Sequence, residues 1–255
     1  MKDEFYIGWQ DRAAPDLARF IRQVVVGLLL LTLGFAGGLA ALQRTIDVSV
    51  FEWGAVKPFS GLLQARPYPR LLVPRPGADG AQTRFSTYYL VAPLKNGLDQ
   101  NQLAPLDQRA VSLSGTLIYR GNQTMIEVRP DSIKPADRVI PPPTGLATVS
   151  LGRQTFTGEI VDSKCCLGVM NPGQFLPHRD CAILCISGGI PPVLFVRPKA
   201  GPPLYLMLVS TADQPVNQAV LDLVAEPVQI TGEVERQGDL LFLRADPSTY
   251  RRLPR

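Results

Sequence analysis

Nineteen consecutive residues without a charge, VVVGLLLLTLGFAGGLAAL from Val24 to Leu42, constrain this chain more than any other feature. Wound as a helix at about 1.5 Å per residue, such a run is as long as the hydrocarbon core of a bilayer is thick. Pro15 and Asp16 read as a helix start, so the helix is expected to begin near Ala14, with the span itself at 22–43. Gly38-Leu39-Ala40-Ala41 offers the small residues of a signal-peptide cleavage site. The run is longer than a usual signal core, however, and a mixed-charge tail, 1–21, precedes it. An uncleaved anchor fits better. Lys2, Arg12, Arg19 and Arg22 lie before the span and only Arg44 and Lys57 follow closely, which favours a cytoplasmic tail and an exported body. The expected location is a bacterial inner membrane with the body in the periplasm.

The body reads as mainly β. Twenty-four scattered prolines in 255 residues suit many short elements joined by stiff turns, and 45% apolar content is enough for a core. A net charge of +4 is too mild to argue for a nucleic-acid groove. A repeat organises these elements. A shift of 117 aligns Tyr88 with Tyr205, Val111 with Val228, Gly115 with Gly232, Gly121 with Gly238 and Pro130 with Pro247 without a gap. Each copy carries a β-rich run, a Gly-polar turn (Gly121-Asn122, Gly238-Asp239) and a second β-rich run, the pattern of a hairpin. Upstream, Phe59-Ser60-Gly61-Leu62 matches Phe156-Thr157-Gly158-Glu159 at an offset of only 97, so the second copy is longer by about 20 residues after its first strand. Pro74 to Ser86 reads as a loop within the first copy.

This order of strands resembles small OB-like barrels. The expected fold is therefore one transmembrane helix and two OB-like β-barrel domains, 50–137 and 153–253, joined by a stiff Pro-rich linker at 138–152. The second would carry a Cys-rich, partly helical insertion at 164–189. One anchor followed by an OB barrel is also the plan of the periplasmic haem chaperones of cytochrome c maturation. That likeness is architectural: those proteins attach haem through a His in an H-x-x-x-Tyr context, whereas His178 is followed by Arg179, Asp180, Cys181 and Ala182. The motif C-x-G-x-M-x-P-G…H-x-x-C-A-x-x-C-x-x-G-G-x-P-P is similar to that of uncharacterised bacterial membrane proteins. The resemblance covers about thirty residues and implies no activity.

All four cysteines and the only histidine fall between Cys165 and Cys185. HRDCAILCI follows Pro177 and is free of Pro and Gly, so a short helix ending at Gly188-Gly189 is expected. His178, Cys181 and Cys185 would then share one face, with Cys165 and Cys166 arriving from a strand end. Three uses of the window stand side by side. An even cysteine count in an oxidising compartment suits disulfides among Cys165, Cys166, Cys181 and Cys185, which would staple the insertion. Thiolates with one imidazole suit zinc or cuprous copper, with Cys165, Cys166, His178, Cys181 and Cys185 as candidate ligands and Met170 favouring copper. Thiol redox chemistry is the third, although neither C-x-x-C nor a thioredoxin-like βαβ order is present.

No G-x-S-x-G, Walker loop or H-E-x-x-H occurs, and Asp162, Glu127 and Glu159 read as isolated, solvated acids. No catalytic residues are assigned. Arg66-Pro-Tyr-Pro-Arg70 and Tyr250-Arg251-Arg252 mix basic and aromatic residues, but solvated arginines on sheet edges are the expectation and no nucleic-acid partner is inferred. The functional expectation is a non-enzymatic, membrane-anchored binding or assembly module. Its partner would be a protein of an envelope complex such as a respiratory one; the competing expectation is a metal or thiol-redox protein.

Overall fold

A computed structural model describes residues 14–43, 48–75, 84–137, 140, 148–199 and 201–254. Helix α1 runs Pro15–Gln43 and forms one unit; residues 48–255 form a second. At about 44 Å, α1 is long and apolar enough to cross a membrane. It is apolar on all sides, with Leu28, Leu31, Leu33 and Phe35 exposed, which suits lipid rather than a protein core. The tail before Ala14 lies outside the described residues.

The first half of the body contains β1 (Ser49–Phe51), β2 (Lys57–Gln64), β3 (Arg70–Arg75), β4 (Arg84–Val91), a one-turn helix α2 (Gln100–Leu103), β5 (Ala110–Arg120), β6 (Gln123–Val128) and β7 (Lys134–Pro135). Strands β2, β3, β4, β6 and β5 close a five-stranded barrel, with β4 and β6 parallel and the other neighbours antiparallel. The second half contains β8 (Val149–Asp162), α3 (Arg179–Ser187), β9 (Pro192–Val196), β10 (Leu204–Val209), β11 (Pro227–Gln237), β12 (Leu240–Arg244) and β13 (Arg251–Arg252). Here β8, β9, β10, β12 and β11 close in the same order, with β10 and β12 parallel.

The 117-residue shift holds to the residue. Ala110–Arg120 maps onto Pro227–Gln237, and the exit pair Val111 and Pro135 maps onto Val228 and Arg252. Both hairpins turn on a glycine in the left-handed region, Gly121 (φ 56°) and Gly238 (φ 60°), where any Cβ would be strained. Gly115 and Gly232 mark where the long strand takes up its second barrel partner, β6 or β12. A Cβ there would lie 2.5 Å from the Glu127 oxygen and 2.4 Å from the Arg244 oxygen.

Two details depart from expectation. Pro74, Arg75 and residues 84–86 belong to β3 and β4 rather than to a loop, paired Pro74 to Phe85 and Arg75 to Arg84. The proline run 141–143 lies outside the described residues, and β8 already begins at Val149.

The barrels do not stand apart. One core cluster joins Tyr68, Tyr89, Ile118 and Met125 of the first to Phe195, Met207, Leu240 and Phe242 of the second. Tyr68, between β2 and β3, donates its hydroxyl to the Leu208 oxygen (3.1 Å) and accepts from Val216 N–H (3.1 Å). Arg70 donates to Gln237 Oε1 (2.8 Å) and lies over the Phe242 ring. The expectation of solvated arginines is therefore corrected at Arg70, which is buried with Tyr68 because each spans the joint.

Between their first and second strands the two barrels differ most. Residues 65–69 make this step in the first barrel, and residues 163–191 make it in the second. The longer connection packs on the first barrel. Lys164, almost fully buried, donates Nζ to the oxygens of Ala92 (2.9 Å) and Leu94 (2.7 Å) and pairs with Glu127 at 2.5 Å.

Candidate metal and thiol centre

Strand β8 ends at Asp162, and the chain turns at once into a short helical stretch that carries Cys165 and Cys166. Asp162 directs this turn: its Oδ1 accepts from Cys165 N–H at 2.7 Å, the bond an N-terminal cap makes. Adjacent side chains on a helical turn diverge by about 100°, so the two cysteines part company. Cys165 faces α3. Cys166 faces a small cavity at the barrel joint with Tyr89, Gln123, Ser163 and Tyr205.

Helix α3 occupies the stretch that the sequence marked, with Gly188 as its C-cap and Gly189 just beyond at φ 101°. His178 sits at its N-terminal edge, and Cys181 and Cys185 one turn apart along it. Ligand atoms of Cys165, His178 and Cys181 lie within 4.8 Å of one another, and so do those of Asp162, Cys165 and Cys185. Cys165 belongs to both groups and is the centre of the cluster. His178 Nε2 contacts Asp162 Oδ2 at 3.0 Å. Lys95, from the connection after β4, places Nζ 2.7 Å from Cys181 Sγ and 4.0 Å from Cys185 Sγ.

Of the candidate ligands, the fold gathers Cys165, His178, Cys181 and Cys185 and leaves Cys166 out. No disulfide forms among the four cysteines, all of which are free. The two-bridge expectation is corrected for a geometric reason: with Cys166 turned to the joint, only three thiols converge. Asp162 is likewise no solvated acid; it is wholly buried between two donors. Glu159 is also buried and accepts from Phe175 N–H (2.5 Å), while Glu127 is half-buried and paired with Lys164. A signal for Asp162 was available, since an Asp three residues before Cys165 at a strand end is a capping pattern. Lys95 had none, because it lies 86 residues upstream of Cys181.

The electrostatics divide the thiols. Cys185 is held below the ordinary thiol range, first by the hydrogen bond from Cys165 and, against burial, by Lys95. Cys165, the donor of that bond, is pushed up by it and by burial. Burial, above all, takes Cys166 up to about 12, with the charges of Asp162 and Glu159 adding to it and Arg120 and Arg197 opposing it. Cys166 is thus an inert core thiol, while the other three form one hydrogen-bonded group. Lys95 is held above its ordinary range chiefly by the bond to Cys181.

Compared with protein-family models, curated proteins and solved structures, the chain matches none. The geometry of the site therefore carries the functional argument by itself.

Proposed function

We propose that the protein is a membrane-tethered, soft-metal-binding module in which Cys165, Cys181, Cys185 and His178 hold one zinc or cuprous copper ion. The observation that carries this reading is two overlapping triads that share Cys165, its thiol lying within 4.8 Å of the ligand atoms of His178 and Cys181 in one and of Asp162 and Cys185 in the other, with every thiol free. Three sulfurs and a nitrogen suit a tetrahedral zinc site, and soft thiolates suit cuprous copper equally. The Asp162–His178 contact supports the reading further, because ligating imidazoles are usually oriented by a carboxylate on one ring nitrogen while the other faces the ion.

The barrel closure, with third and fifth strands parallel, supports an OB-like identity for both halves. Residues 163–191 are then an insertion on the second barrel, and the site is what the insertion adds. α1 and the charge balance around it support a periplasmic body serving a neighbouring membrane complex.

The test is metal analysis of the full chain, purified in detergent under reducing conditions, with thiols counted before and after chelation. One equivalent of zinc or copper is expected in the wild type and in Cys166→Ser, and far less in Cys165→Ser or Cys185→Ser. A metal-free protein whose cysteines alkylate freely would overturn the reading in favour of thiol chemistry. Blocked cysteines released only by reductant would restore the disulfide reading.

A further inference from the structure

The metal reading accounts for the three thiols and His178 but not for Lys95. This residue comes from the other barrel, yet its ammonium touches the sulfurs more closely than any other cation among the described residues. Its placement is built. Gly97 N–H donates to the Gly188 oxygen at 2.8 Å, and Ala92 N–H to the Asn96 oxygen at 3.0 Å. The Leu94 oxygen, in a residue at φ 61°, is held by Lys164. A Cβ on Gly188 would lie 2.2 Å from the Lys95 oxygen, and one on Gly97 2.4 Å from the Gly189 oxygen. The turn is locked onto the end of α3, so the lysine stem starts from a fixed point above the cluster.

We infer that Lys95 is a positioning residue of the metal site, supplied by the first barrel as the counter-charge of its thiolates. The inference rests on the metal reading. Three thiolates and the Asp162 carboxylate beside a divalent ion leave two negative charges in a largely buried site, and burying uncompensated charge is costly. One ammonium halves that excess. N–H···S bonds also draw charge off the sulfurs without occupying a coordination position, which is how residues behind the ligands tune a site.

The experiment measures zinc affinity of the full chain in detergent, by competition with a chromogenic chelator, for wild type, Lys95→Gln and Lys95→Arg. Loss of the charge is expected to weaken binding about 10–100-fold, with arginine restoring most of it. In cobalt-substituted protein, Lys95→Gln is expected to shift the sulfur-to-metal charge-transfer band to longer wavelength, since the thiolates become more electron-rich. Equal affinity in Lys95→Gln and wild type would overturn the inference and leave the metal reading intact. So would a lowered unfolding midpoint in metal-free Lys95→Gln that arginine does not restore, because the lysine would then be structural. A wild type that binds no zinc would remove both, and the metal reading would be the step that failed.

Discussion

A lysine is among the largest fully buried side chains of the described residues, and it shows how single residues settle the structure. Lys164 is affordable in the interior because two carbonyls and one carboxylate meet its ammonium. Lys164→Met would leave Glu127 and both carbonyls unmet, so a loss of about 3 kcal/mol is expected, read as a lower urea midpoint of the full chain in detergent. Glu159 gives the opposite case. Burial holds its carboxyl above the ordinary range, so the folded state favours the protonated form. That stabilisation is complete in acid, below the carboxylate range of the unfolded chain, and is lost as pH rises through the raised folded value. Near neutral pH the charge is a net cost. Glu159→Gln keeps an oxygen for Phe175 N–H and is expected to raise the urea midpoint near neutral pH but not in acid; a lower midpoint at neutral pH would contradict this.

At the scale of elements, the repeat was legible because its signals are local. A left-handed turn needs glycine, and a strand crossing close to another needs one too, so Gly121, Gly238, Gly115 and Gly232 kept their places in both copies. Gly115→Ala and Gly232→Ala push a Cβ against backbone oxygens and are each expected to cost about 1–3 kcal/mol. Comparable losses in denaturant melts would confirm that the positions are equivalent; a loss at only one would break the correspondence. Helix α3 was legible for similar reasons, bounded by Pro177 and Gly188 and carrying His178, Cys181 and Cys185 in phase. The exclusion of Cys166 was not. Two adjacent cysteines look alike in sequence, and only a helical turn begun by Asp162 sends one to the site and one to the joint. The buried charges were hidden for the same reason: Asp162 and Arg70 read as surface residues until partners distant in sequence appear, and nothing in the sequence singles out Lys164.

At the scale of the molecule, the two barrels read from sequence as domains on a stiff spacer, yet the described residues share a core. Tyr68 of the first barrel is anchored to backbone of the second, Lys164 of the second to backbone of the first, and Cys166 lies in the cluster common to both. Neither barrel keeps this apolar surface covered without the other, so residues 48–255 are expected to unfold in one step. Cys166 is the natural reporter. Buried and with its thiol pushed up to about 12, it does not react while the joint is closed. Pulsed alkylation of the full chain along a urea series, read cysteine by cysteine by mass spectrometry, should expose Cys166 at the concentration where the β signal in circular dichroism is lost. Exposure at lower urea, with the β signal intact, would mean that the barrels part before they melt. Zinc gives the companion measurement. At about a hundred times its dissociation constant, an ion that binds only the folded state adds about 2.7 kcal/mol. If the joint and the site are one cooperative structure, the midpoint for Cys166 must rise with zinc as far as that for the β signal, although Cys166 is not a ligand.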